Sequence, residues 1–373
     1  MTEHAALLKD SVTDFVTRAT DIARVRALRG SPGEYDRAVW RQMAELGWLG
    51  IAIPEAYGGM GLGLTETAIV AEGLARALGP EPYTAAAVLA AGALAASNDE
   101  ALKVELLPPI VAGERIPALA WQETAGVLGT AHIAARATPF EGGFRLSGAK
   151  RYVSGAAGAD LYLVAARSDE GLVLACVERS APGARLTLER LADGRNFGTL
   201  DLEDVVVPRE RIAASGAAAE SALAQALDHA TAIASAELYG VMSRTLEMSV
   251  DYMKTRVQFG RPIGSFQALQ HRAVDLYIQR ELASAVLEES LRALDSGPDA
   301  RARAAIASRL KARCSDAGVR ITREAIQIHG AIGFTDEYDA GLYLKRALVL
   351  GAWLGNANQH RRRYAALALG REH

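Results

Sequence analysis

The chain has 373 residues, half of them apolar and 23% charged, and 41 basic against 44 acidic residues leave a formal charge of -3, an ordinary globular composition. A near-zero charge with no basic stripe excludes a protein built to displace phosphate counterions from nucleic acid, and the longest apolar run, Ala85 to Ala96, is too short for a bilayer span of roughly 20 residues. Cys176 and Cys314, the only cysteines, are too few and too far apart for a disulfide framework or a thiolate metal site, so no metal is expected.

The opening segment places His4, Lys9 and Asp10 among its apolar residues and has no continuous apolar core, so no secretory leader is expected and the default is a reducing cytoplasm. From Leu8, the residues Val12, Phe15, Ala19 and Ile22 recur at three- and four-residue steps, one face of a helix. Turn chemistry interrupts this style at Pro54-Glu55, at Tyr57-Gly58-Gly59-Met60-Gly61 and at Gly79-Pro80-Glu81-Pro82. Between about Trp121 and Pro208 the period becomes two: Leu200 and Leu202 alternate with Asp201 and Glu203, and Phe144 and Leu146 flank Arg145. From about Ser221 the helical period returns, with Val274, Ile278, Leu282 and Ala285 as a clear stripe. Helices, then strands, then helices, without alternation, predict an α+β chain and argue against a doubly wound dinucleotide fold. The boundaries read as an N-terminal helical domain over 1–118, a small β domain, barrel or sandwich, over 119–215, and a C-terminal helical bundle over 216–373.

Two stretches carry candidate chemistry. Arg256 to Gln267 offers a guanidinium that can fork onto a phosphate, a glycine turn, and amides in Gln258 and Gln267; it reads equally as a solvated interhelical turn. Gln327 to Thr335 contains Gly330 and Gly333, which either let backbone amides approach an anion or simply cap a helix.

Taken together, the wording and spacing of these stretches resemble the acyl-CoA dehydrogenase family, with its R-x-x-F-G-x-x-I/L-x-x-x-Q and Q-x-x-G-G-x-G-F/Y segments. Gly47-Trp48 through Pro54-Glu55, Tyr57-Gly58-Gly59 and Gly61 is similar to the family's N-terminal segment, and Gly148-Ala149-Lys150-Arg151-Tyr152 resembles its G-x-K-x-W strand. The resemblance implies a tetrameric flavoprotein with a C-terminal four-helix bundle, in which FAD lies between subunits. Carried over residue by residue, Arg256, Phe259 and Gln267, with Gln327, Gly330 and Ala331, are expected cofactor contacts for a neighbour, and Tyr152 and Ser154 face a subunit's own flavin. Ala331 stands where the family has a second glycine, which requires a negative φ there or room for a methyl.

The family's reaction takes the α-proton of an acyl thioester with a glutamate while the β-hydrogen leaves as hydride to the flavin. Such a weakly acidic proton requires a positioned carboxylate in a dry site. One group of members places the glutamate four residues before a glutamine matched here by Gln359, and that position is Gly355. A second group, resembling isovaleryl-CoA dehydrogenase, places it 26 residues before the arginine matched by Arg256, one turn into the preceding helix, and that position is Ala230. Asp228 and His229 are ionisable neighbours, but one or two helical positions rotate a side chain by roughly 100° or 200°. The family's T-E-P-x-x-G-S-D segment is reduced to Gln122-Glu123-Thr124-Ala125-Gly126-Val127-Leu128, and K-x-W-I-T becomes Lys150-Arg151-Tyr152-Val153-Ser154.

The retained residues are those that reach a neighbour's FAD, and the lost ones are the base and the segments serving a subunit's own flavin. This pattern resembles the non-catalytic subunits of heteromeric α2β2 acyl-CoA dehydrogenases of steroid degradation, which share an ending like His329-Gly330-Ala331-Ile332-Gly333-Phe334-Thr335 followed by Leu342-Tyr343-Leu344-Lys345-Arg346-Ala347. The expected function is therefore FAD-dependent α,β-dehydrogenation of an acyl-CoA as the base-less subunit beside a catalytic homologue, with electrons passing to an electron-transfer flavoprotein. The alternatives are a self-sufficient homotetramer using Asp228, Glu220 or another base, and a non-dehydrogenase flavoprotein or scaffold. Arg361-Arg362-Arg363 reads as a CoA phosphate contact or as a complement to a helix dipole.

Overall fold

The computed structural model describes residues 3–29, 31 and 35–370; Met1 and Thr2 of the opening segment lie outside them. Six helices come first: α1 (Glu3–Ala19), α2 (Ile22–Leu28), α3 (Arg37–Glu45), α4 (Leu64–Arg76), α5 (Ala91–Ala95) and α6 (Glu100–Val111), with a fully buried π-helical stretch, Thr84–Ala90, leading into α5. The apolar stripe from Leu8 to Ile22 spans a break, since α1 stops at Ala19 and α2 restarts at Ile22. Local chemistry sets the helix starts: the Asp36 carboxylate caps α3 at the Ala38 amide, and Asp99 caps α6 at the Leu102 amide.

Eight strands follow: β1 (Pro117–Ala120), β2 (Arg136–Phe140), β3 (Gly143–Ser154), β4 (Leu161–Ser168), β5 (Gly171–Glu178), β6 (Ala184–Arg190), β7 (Asn196–Pro208) and β8 (Ile212–Ser215). They form one mixed sheet in the order β6-β7-β3-β2-β4-β5-β8, with β1 parallel to β4. The two halves join through a single parallel pair, Arg136 with Arg167. Strands β4 and β5 are buried along almost their whole length, which explains their continuous apolar runs, whereas β7 keeps the alternation that buries Leu200 and Leu202 and leaves Glu203 exposed. Side chains from β1 to β5 and from β7 meet in one apolar cluster around Tyr162, Val164 and Leu146.

The remainder is helical: α7 (Gly216–Thr255), a short hairpin of β9 (Val257–Gln258) and β10 (Arg261–Pro262), then α8 (Gln267–Asp295), α9 (Ala300–His329), α10 (Ala340–Ala352) and α11 (Ala357–Leu369). Helix α7 starts at Gly216, five residues ahead of the expected return of helical period, because Gly216-Ala217-Ala218-Ala219 carries no hydrophobic contrast to read. The contact pattern divides the chain into two compact units, 26–67 with 80–230 and 1–25 with 68–79 and 231–373. The first holds the sheet and the second holds most of the long helices. Among the described residues no helix is long and apolar enough to cross a membrane.

Candidate functional site

In the sheet-bearing unit the expected flavin-side residues sit on β3. Lys150 is fully buried and its ammonium meets the Glu123 carboxylate, which also accepts the Ala134 amide at 2.8 Å and the Ala135 amide at 2.9 Å. Burial pushes the Lys150 pKa down to about 8 against the pull of Glu123. Burial would raise Glu123, but the Lys150 ammonium and the two amides outweigh it and hold the carboxyl below its ordinary value. The pair is thus ionised near neutrality, and it clamps the segment after β1 to β3, assisted by the Arg151 amide on the Gln122 carbonyl at 2.8 Å. A shallow cleft beside this clamp is lined by Trp121, Gln122, Glu123, Thr124, Val127 and His132.

Two residues beyond Lys150, the pairing of β3 with β7 slips between Lys150 and Val153, and Tyr152 takes φ of +58°. A left-handed tyrosine at a bulge is strained by about 1–3 kcal/mol, and such residues concentrate where a side chain must be aimed. Tyr152 meets Phe197 edge-on, with ring centroids 6.2 Å apart, and Ser154 pairs with Phe197 across the sheet; both residues are half-buried.

In the helical unit, Arg256 follows the end of α7, exposed and without an ion pair among the described residues. The next residues form a two-residue hairpin in which Phe259 and Gly260 have φ of +53° and +77°. Both central residues of a type I′ turn need positive φ, which is why Asn-Gly is the usual choice there. Here a phenylalanine is held in that conformation and is 91% exposed. Gln267 opens α8, whose N-terminus has no side-chain cap. Gln327 is exposed on the last turn of α9, and the Gly330–Phe334 turn follows. Gly330 has φ +64° and ψ -138°, a conformation for glycine alone, whereas Ala331 is not among the positive-φ residues. Gly333 is needed for space instead, since a Cβ there would lie 3.0 Å from the Ile326 carbonyl oxygen. Phe334 is 83% exposed. An unpaired guanidinium, free helix-start amides and a glycine turn can together hold a phosphate-bearing ligand, so the donor set suits the dinucleotide that the resemblance implies.

Neither expected base position carries an acid. Ala230 is fully buried and is the fifteenth residue of α7, about four turns in and not one, so Asp228 and His229 are mid-helix residues rather than helix-start ones. Glu220 is ion-paired with Arg167 at 2.8 Å. Gly355 lies between α10 and α11 with φ of +103°, next to Leu354 at +58°. Gln359 is explained by its own helix start, where it forms a reciprocal capping box with Asn356. In the basic run, Arg361 pairs with Asp316 and Arg363 approaches Ser308 at 3.4 Å, leaving Arg362 facing solvent.

Two features went unread in the sequence. Lys311 is fully buried and donates to the Leu350 carbonyl at 2.6 Å and the Gly355 carbonyl at 3.2 Å, while buried His360 donates to the Leu354 carbonyl at 2.8 Å. The signal was a lysine on the buried stripe Ala304, Ala307, Lys311, Cys314, Gly318 and Ile321 of α9. The second is the face of α8: Val274, Tyr277, Ile278 and Leu282 are each about half exposed, and the opposite side supplies Leu276, Ala283 and Leu287 to the interior. The stripe that announced the helix therefore faces outward in the single chain.

Comparison with known proteins agrees with this architecture. Residues 2–114 match the acyl-CoA dehydrogenase N-terminal domain model, and residues 219–369 match the acyl-CoA dehydrogenase C-terminal domain model. The acyl-CoA dehydrogenase FadE27 of Mycobacterium tuberculosis is 31% identical over 347 residues, covering 91% of this chain and 88% of that protein. A variant of the Tcur3481-Tcur3483 steroid ACAD superposes with a TM-score of 0.89 at 31% identity, covering 99% of this chain and 98% of that one. The ChsE4-ChsE5 complex of Mycobacterium tuberculosis contains a chain with a TM-score of 0.87 at 29% identity, covering 100% of this chain and 99% of that one.

Proposed function

Because the chain belongs to the acyl-CoA dehydrogenase family of FAD-dependent oxidoreductases, we propose that it works as the base-less subunit of a heteromeric acyl-CoA dehydrogenase, completing the cofactor site of a catalytic homologue. The observation that carries this reading is a division within the chain: residues 230 and 355 offer no proton acceptor, while Arg256, Phe259 and the Gly330 turn stand exposed and unspent.

When bound, FAD supplies the hydride acceptor for α,β-dehydrogenation. This chain's own contribution is binding and orientation. Arg256 donates to the pyrophosphate, with Gln267 and Gln327 as amide partners and the amides of the Gly330–Phe334 turn around the adenosine end. Phe259 covers the same ligand from its strained hairpin. The Val274, Tyr277, Ile278 and Leu282 face of α8 is the surface that a partner subunit covers, since an apolar strip of this kind is uncommon on a monomer. The α-proton goes to a carboxylate of the partner.

The names of the relatives support a steroid-derived acyl-CoA as the substrate class, a cytoplasmic location and an electron-transfer flavoprotein as the electron acceptor. The test is turnover by dye reduction with a steroid-side-chain CoA thioester. The isolated chain shows none and the co-expressed complex does; turnover by the isolated chain overturns the reading.

A further inference from the structure

The two exposed segments assigned to the cofactor are 70 residues apart in sequence, and three rings join them. Tyr252 lies one helical turn before Arg256, and its carbonyl accepts the Arg256 amide at 2.8 Å. His329 immediately precedes Gly330 and is buried, with its ring 4.5 Å from that of Tyr252 and 4.5 Å from that of Tyr338. Tyr252 and Tyr338 are themselves 6.0 Å apart.

The hydrogen bonds fix the arrangement further. His329 Nδ1 lies 2.7 Å from the Ala325 carbonyl oxygen, which can only accept, so Nδ1 carries the proton. Nε2 is then an acceptor and receives the Tyr338 hydroxyl at 2.9 Å. Tyr338 lies nine residues after His329, so this one bond closes the loop that contains the glycine turn. Burial also lowers the His329 pKa, which favours the neutral ring that this pattern needs.

We propose that His329, Tyr252 and Tyr338 are positioning residues that hold Arg256 and the Gly330–Phe334 turn together as one anion cradle. None of the three touches the ligand. His329 spans the loop from beneath, and Tyr252 carries the same stack to the end of α7. This inference rests on the reading that Arg256 and the turn bind FAD, and the test separates the two.

The experiment is equilibrium binding of FAD to the deflavinated assembly in which the chain binds it, with the melting temperature of the same apo sample measured alongside. Tyr338→Phe removes one hydroxyl and keeps the ring. His329→Leu removes both bonds, and His329→Gln returns an acceptor for Tyr338. Tyr338→Phe and His329→Leu are expected to weaken FAD binding about tenfold, with the apo melting temperature nearly unchanged, and His329→Gln to recover much of that loss. FAD affinity within twofold of wild type in both variants, while Arg256→Ala binds weakly, overturns the proposal alone. If Arg256→Ala also binds normally, the cofactor reading fails and the proposal with it. A loss of affinity that only follows a fall in melting temperature, with no recovery in His329→Gln, overturns the positioning role.

Discussion

The Lys311 ammonium donates to the carbonyl of Gly355 across 3.2 Å, so a buried cation anchors from below the turn at which one branch of the family carries its catalytic glutamate. Burial lowers the Lys311 pKa from 10.5 to about 7. Between those values the unfolded chain holds one proton more than the native one, so stability rises with pH through that window, by up to about 1.4 kcal/mol per unit. Below about pH 7 the penalty is constant. Lys311→Met should remove this slope, and urea unfolding at pH 7 and pH 9 checks it; equal gains in both proteins contradict the assignment.

Gly355→Glu is the obvious attempt to restore a base, and the backbone argues against it. With φ of +103° at Gly355 beside +58° at Leu354, a glutamate there costs about 1–3 kcal/mol in strain. The variant should melt below wild type and show no turnover alone. A stable, active Gly355→Glu chain would mean that the turn relaxes.

How far the sequence speaks is clear from these residues. The helix, strand, helix order was legible because its signals are local: period two in β7 and three- to four-residue steps in α1 and α8. The two glycine-bearing stretches were legible as punctuation, and the structure gives their glycines different reasons, angle at Gly330 and space at Gly333. The start of α7 was not, because alanine is neutral in hydrophobic contrast. Side-chain pairings across the fold were equally hidden: Glu123 with Lys150, Lys311 with the end of α10, and His329 with Tyr338 depend on a third dimension. The α8 stripe showed the opposite limit, since periodicity reports a face and not which side of it meets water.

The Glu123–Lys150 pair gives a second stability test. Lys150 is fully buried and the Glu123 side chain is 13% exposed, so removing one partner strands a charge at a cost of about 3–5 kcal/mol. Glu123→Gln should therefore destabilise strongly, and the double variant Glu123→Gln with Lys150→Met should lose less than the sum of the two singles. Chemical denaturation of all four proteins reads the coupling; simple additivity would show that the two charges do not depend on each other.

Phe259 offers a trade between stability and binding. Phe259→Asn puts the preferred residue at the left-handed position of the β9–β10 turn and should stabilise the isolated chain by about 1 kcal/mol. The same change removes an exposed ring and should weaken flavin retention in the complex. Thermal melts and flavin absorbance on one preparation report both effects, and a variant that gains stability while keeping full flavin removes Phe259 from the site.

The central claim is that this chain completes a cofactor site it does not complete alone. Flavin content and mass of the purified chain, alone and after co-expression with a catalytic homologue, test it most directly. The account predicts little flavin in the chain alone and a mixed tetramer holding two FAD per four subunits. A homotetramer carrying one FAD per chain would contradict it.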